Sequence, residues 1–150
     1  MPTKTPATKS AGFSDAEKAA AKARVQELKA AAGGLDRDAG LADVLAKIAD
    51  MPEPDRTLAK RIHELISQLA PELWPKTYYG MPGFATEGKN GKMICWFKPK
   101  SKFKMRYGTL EFGADAKLDD GQMWPVSFAL TELTPQTEAR IKDLVKKSIS

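Results

Sequence analysis

The side chains best suited to covalent or acid–base chemistry are a single cysteine, Cys95, and a single histidine, His63. A thiol acts as a nucleophile when a neighbouring base stabilises its thiolate. Cys95 lies in the apolar run M-I-C-W-F at residues 93–97, which favours a buried, inert thiol. His63 lies about 120° from the centre of the apolar stripe of its predicted helix, so we expect it near solvent. A catalytic Cys–His pair is therefore disfavoured. The chain also lacks paired-carboxylate, Ser-His-Asp and phosphate-loop signatures, and an enzyme is not the favoured interpretation.

The most strongly patterned segment is K-P-K-S-K-F-K-M-R-Y at residues 98–107. In it Lys102, Lys104 and Arg106 alternate with large apolar side chains, so a strand would place the three cations on one face. Residues 71–110 carry eight basic and two acidic side chains. The net charge of this segment is therefore +6, which exceeds the net charge of +5 for the whole chain. This pattern indicates either a site for an anion or a lysine-protected, solvent-exposed strand.

The segment Y-Y-G-M-P at residues 78–82 has an unusual backbone composition. Gly80 permits a positive φ, and Pro82 restricts the residue before it to an extended conformation. The segment is therefore either one wall of a pocket or a rigid connection. The apolar residues predicted to line such a pocket are Tyr79, Met81, Phe84, Trp96 and Trp124. For Trp124, which precedes a proline, core packing is the alternative.

Apolar spacing and capping signals place the elements that would position these residues. Helices are predicted at residues 14–32, 41–49, 55–69 and 134–149, with Gly33-Gly34 ending the first and Asp55 capping the third. Strands are predicted at residues 84–86, 92–98, 103–112 and 126–130, with a hairpin turn at 87–91 and an irregular or extended segment at 73–84. The predicted fold class is α+β, in which a mainly antiparallel sheet of about four to five strands packs with N-terminal helices and a C-terminal helix.

Composition limits the other possibilities. The chain has 150 residues, of which 42% are hydrophobic and 29% charged, which is typical of a globular domain. We expect one domain at residues 13–150 after a disordered basic tail at residues 1–12. One cysteine excludes an internal disulfide, and one histidine excludes His-rich metal sites. The sequence contains neither an apolar run long enough to span a membrane nor a signal-peptide pattern, so a cytoplasmic protein is expected. The sequence does not decide whether the protein forms a homodimer.

Four motifs in a fixed order resemble one known family. They are Y-G-M-P-G-F at 79–84, G-K-M-I-C-W-F at 91–97, K-F-K-M-R-Y-G-T-L-E-F at 102–112 and L-D-D-G-Q-M-W-P-V-S-F-A-L-T-E-L at 118–133. Residues 40–149 resemble the YdhG-like family of bacterial domains of unknown function. The resemblance implies a compact α+β fold in a small bacterial cytoplasmic protein. Some members of that family are described as frataxin-like intracellular iron chaperones.

Three hypotheses for function follow. The leading one is a non-catalytic binding module without a cofactor, whose cationic rim of Lys102, Lys104 and Arg106 binds a small anionic molecule or an acidic protein partner. The second is the iron chaperone, with iron bound transiently by hard carboxylate ligands. Its candidate ligands are Glu111, Asp115, Asp119 and Asp120. The third is binding of single-stranded nucleic acid through the aromatic and basic residues that alternate in residues 71–110.

Overall fold

The computed structural model describes residues 14–32, 36–88 and 90–150. The predicted tail at residues 1–12 and the predicted helix stop at Gly33-Gly34 lie outside these ranges. The helices are α1 (Asp15–Ala32), α2 (Arg37–Ala49), α3 (Asp55–Leu69), α4 (Lys100–Phe103) and α5 (Pro135–Ser148). The strands are β1 (Trp74–Tyr78), β2 (Met81–Ala85), β3 (Met93–Lys98), β4 (Gly108–Phe112) and β5 (Ser127–Leu130). None of the helices within the described ranges is both long and apolar enough to cross a membrane.

The strands form one antiparallel sheet in the order β1-β2-β3-β4-β5, which confirms the predicted α+β class. Its register aligns Phe84, Cys95 and Phe112 as cross-strand neighbours. Because alternate side chains of a strand share a face, these residues belong to one apolar face of the sheet. That face packs against α2, α3 and α5 in a single buried cluster, so the opposite face of the sheet is left for other contacts.

The helices form for the reasons that the sequence indicates. In α3 the buried residues Leu58, Ile62, Leu65 and Ile66 repeat at helical spacing and face the sheet. In α5 the Thr134 side chain caps the first turn by accepting a hydrogen bond from the Thr137 N–H at 3.2 Å. These two helices therefore match their predicted positions to within about two residues, the usual uncertainty at helix ends.

The segment predicted as irregular or extended is a β-hairpin. Strands β1 and β2 pair from Trp74↔Ala85 to Tyr78↔Met81, and the turn consists of Tyr79 (φ 51°) and Gly80 (φ 78°). Two consecutive positive φ values are typical of the type I′ turn, whose twist matches that of the flanking strands. Pro75 argued against a strand in the sequence, but it lies in β1, an edge strand, where proline is tolerated.

The strand predicted at residues 103–112 begins only at Gly108. Residues 100–103 form the short helix α4, and Lys104 follows in the left-handed conformation with φ 53°. The turn is closed by the Met105 N–H, which donates to the Lys100 carbonyl at 2.9 Å. Lys102, Lys104 and Arg106 therefore do not share one face of a strand, and the predicted cationic row is wrong.

Candidate ligand-binding site

A pocket of about 380 Å³ opens where the α2–α3 connection, the β1–β2 turn and α4 meet. Its charged and polar lining comes from α2 and its C-cap, the first residue of α3, and α4. Those residues are Lys47, Asp50, Asp55, Ser101 and Lys102. The rest of the lining is Met51, Pro52, Gly80 and Pro99. Three segments far apart in the chain thus contribute to one concave surface.

Asp55 holds two of these segments together. Its side chain is fully buried, and its Oδ2 accepts a hydrogen bond from the Ser101 N–H at 3.0 Å. Its Oδ1 has no hydrogen-bond partner among the described protein atoms. The prediction that Asp55 caps α3 is wrong, because Pro54 occupies the N-cap and makes no side-chain cap bond. Asp55 instead fixes the start of α4 against α3, and this contact places Lys102 of α4 at the pocket.

Lys102 and Lys47 bring two positive charges to the same pocket. Burial is the main cause that lowers the pKa of Lys102; the charge on Lys47 lowers it further, and Glu27 opposes both. Neither lysine has an ion-pair partner among the described residues. Because Lys47 adds a positive charge near Lys102 and no carboxylate of the described residues forms an ion pair with either lysine, the two ammonium groups provide an electrostatic site for an anion.

The β1–β2 turn at the edge of the pocket is held by α1. The Glu27 carboxylate accepts hydrogen bonds from the Tyr79 N–H at 3.0 Å and the Gly80 N–H at 2.8 Å. The Arg24 guanidinium lies 3.6 Å from the same carboxylate and 4.8 Å from the centroid of the Tyr78 ring. Glycine at position 80 suits the positive φ of the turn, and a Cβ there would lie 2.9 Å from the Lys102 Nζ, which would have to shift.

The other residues predicted to bind a ligand are dispersed. Met81 and Phe84 are buried in the interior, and Trp124 packs partly buried against the core, which is the alternative considered for it. Tyr79 is exposed in the turn. Lys104 and Arg106 are exposed beyond α4. Of the residues predicted for the ligand site, the pocket contains only Lys102.

Trp96 and the predicted metal ligands lie elsewhere. On the sheet face opposite the core, the Trp96 ring is 4.5 Å from that of Tyr78, and its Nε1–H donates to Glu111 Oε2 at 3.2 Å. The remaining candidate ligands, Asp115, Asp119 and Asp120, are exposed in the connection between β4 and β5. In the part of the chain that the structure describes, no group of three or more metal-ligating side chains is assembled.

Cys95 and His63 border a separate cavity of only about 10 Å³, room for about one water molecule. Burial raises the pKa of the Cys95 thiol to about 12, so it is protonated at neutral pH. His63 is half-buried at the flank of α3, so the expectation that it lies near solvent holds only in part. Its ring stacks on Phe84 with centroids 5.3 Å apart, and burial lowers its pKa. The helical wheel did not show this contact, because Phe84 reaches His63 from the sheet. These groups lie outside the larger pocket.

Comparison of the chain with models of known protein families, with curated proteins and with solved structures finds no match.

Proposed function

We propose that this protein binds a small anion that also carries hydrogen-bond donors, in the pocket between Lys47 and Lys102. The observation that carries the proposal is the convergence of these two lysines, without an ion-pair partner in the described residues, on one pocket of about 380 Å³. That volume lies in the range of small-molecule sites, roughly 300 to 1,000 Å³. A bound anion relieves the repulsion between the two ammonium groups.

The carboxylates in the same pocket restrict the ligand further. Asp50 and Asp55 would repel a simple anion, so the ligand that fits has hydroxyl or amine groups opposite them. Asp55 Oδ1, buried and without a protein partner in the described residues, is one acceptor that such a donor would satisfy after a small displacement of the side chain. Hydroxylated phosphates and zwitterionic carboxylates combine a negative charge with hydroxyl or amine hydrogen-bond donors.

The proposed activity is binding without catalysis. Cys95, the strongest nucleophile by residue type, is fully buried and borders a different cavity from the proposed site. The nucleic-acid alternative loses the observation that motivated it, because the basic row is divided between α4 and the turn after it. For the iron alternative, the described residues contain no cluster of three or more metal-ligating side chains. We therefore propose neither nucleic-acid binding nor an iron chaperone.

We also infer that the chain belongs to the YdhG-like family and is a bacterial cytoplasmic protein. The order of the four quoted motifs supports the family, and the α+β architecture agrees with the fold that the resemblance implies.

A matched pair of probes tests the ligand chemistry. Glycerol 3-phosphate has a phosphate and two hydroxyl groups, whereas propyl phosphate has the same charge and no hydroxyl. Isothermal titration calorimetry should give a Kd of about 1 mM or below for glycerol 3-phosphate, equivalent to about −4 kcal/mol or better, and a several-fold weaker Kd for propyl phosphate. Equal affinities would contradict the role of the carboxylates.

Charge reversal tests the site. We expect the double variant Lys47→Glu, Lys102→Glu to lose binding of glycerol 3-phosphate. The control is Lys104→Glu, Arg106→Glu, which makes the same change in net charge at exposed positions outside the pocket and should bind like the unmodified protein. Equal losses in the two variants would show that only the overall charge matters, and no loss in either would place the site elsewhere.

A further inference from the structure

Strand β5 is one edge of the sheet. Its pairing with β4 shows which of its backbone N–H and C=O groups point toward β4 and which point away from it. The Phe112 N–H donates to the Val126 carbonyl at 2.8 Å, and the register continues from Glu111↔Ser127 to Gly108↔Leu130. In an antiparallel pair, residues that exchange hydrogen bonds alternate with residues that do not. The N–H and C=O groups of Ser127 and Ala129 therefore point away from β4.

These outward groups border a groove of about 370 Å³ between β5 and α5. Phe128 and Leu130 from the strand and Ile141 and Leu144 from the helix supply its apolar lining. Arg140 is the one charged side chain among the described residues that line the groove. The Arg140 guanidinium lies 5.6 Å from the Phe128 ring centroid and has no ion-pair partner among the described residues.

We propose that this groove binds an extended peptide segment of a partner protein, which adds to β5 as a sixth strand and places a carboxylate against Arg140. Unpaired edge groups supply main-chain hydrogen bonds in this mode of recognition, and alternate side chains enter the apolar groove. Met123, 90% exposed, and Val126, 42% exposed, extend the apolar surface at the start of β5. The edge itself has none of the charged residues that normally protect an exposed strand.

The charge of the groove favours a peptide over a second copy of this chain. Strand β5 has the sequence S-F-A-L, so β5 of a second copy would present no carboxylate to Arg140. The groove shares no residue with the lysine pocket, so this proposal stands or falls independently of the proposed anion binding.

Selection from a phage library of random 12-residue peptides against the full chain provides the probe. We expect the enriched peptides to combine alternating apolar residues with an Asp, a Glu or a free carboxyl end. A synthetic peptide of the enriched sequence should bind about two- to fivefold more weakly with Arg140→Gln, the range for an exposed ion pair, because Arg140 is exposed. It should lose binding with Ala129→Pro, which removes an outward N–H and leaves the hydrogen bonds to β4 in place.

The matched control is Ala114→Pro, in an exposed turn where the Ala116 N–H donates to the Gly113 carbonyl and position 114 suits proline. This variant should bind the peptide normally. If Ala129→Pro does not fold, as judged by circular dichroism, Arg140→Gln decides the outcome. Failure to enrich any peptide, or a peptide that binds Arg140→Gln unchanged, would overturn the proposal. A dimer that dissociates with Ala129→Pro would also overturn it, because the occupant would then be a second copy.

Discussion

At the scale of single residues, the anion site depends most on Lys102. Burial and Lys47 lower the pKa of Lys102, so this side chain loses its charge at a lower pH than an ordinary lysine. Below that lowered pKa the ammonium group attracts the ligand, and above it the attraction is lost. We therefore predict that the affinity for glycerol 3-phosphate falls as the pH rises through the lowered pKa, measured by calorimetry from about pH 7.5, where the phosphate is already a dianion.

Lys102→Arg is the control for this pH dependence. A guanidinium group stays charged to a pKa above about 12, so the fall in affinity should move to higher pH in this variant. A profile that is the same in both proteins would show that Lys102 does not contact the anion.

Cys95 gives a second residue-scale prediction. Its thiol is fully buried, and burial raises its pKa to about 12, so the thiol is protonated at pH 8. We predict that Ellman's reagent modifies the native protein far more slowly than the protein unfolded in guanidinium chloride. Modification of native protein at the rate of a free thiol would contradict the described interior.

At the scale of elements, Asp55 connects α3 with α4. Replacing it with Ala removes the charged acceptor of the part-buried hydrogen bond from the Ser101 N–H, which should cost about 1–3 kcal/mol of unfolding free energy. Because α4 places Lys102, the anion affinity should fall as well. Denaturant unfolding and calorimetry measure the two effects, and Asp55→Asn, which keeps an acceptor oxygen, should retain more of both. An Ala variant with unchanged affinity would show that α4 holds its position without Asp55.

The attachment of α1 to the β1–β2 turn has its own test. Glu27→Ala removes the acceptor for two backbone N–H groups, so the amide protons of Tyr79 and Gly80 should exchange faster with solvent. Hydrogen exchange followed by NMR measures this directly. Glu132→Ala is the matched control, since Glu132 is exposed and far along the chain from the turn. Equal exchange in the two variants would mean that α1 does not hold the turn.

The same elements show which local features could be predicted. The helical segments α3 and α5 follow from spacing and residue type alone, and both were predicted correctly to within about two residues. The alternation at residues 102–107 predicted a strand because six residues fit a period of two. A long-range bond from Asp55 to Ser101 and the left-handed Lys104 produce a helical turn there instead, and neither is visible in the local pattern.

At the scale of the whole molecule, the α+β class was predictable because the apolar period changes from helical to alternating near the middle of the chain. The candidate site was only partly predictable. Lys102 and the neighbourhood of Gly80 were identified from charge and backbone constraints, but Lys47, Asp50 and Asp55 were not considered for it. These residues reach the pocket only through the packing of α2 and α3 on the sheet, and no local spacing connects them with residue 102.

The central claim is that one pocket, formed by three distant segments, binds an anion. The most direct measurement is a titration of isotope-labelled protein with glycerol 3-phosphate, followed by backbone amide NMR. We expect saturable shifts concentrated at the residues of the pocket, Lys47, Asp50, Gly80, Ser101 and Lys102. Shifts spread over all exposed lysines, concentrated on another surface or absent at about 10 mM ligand, well above the expected Kd, would contradict it.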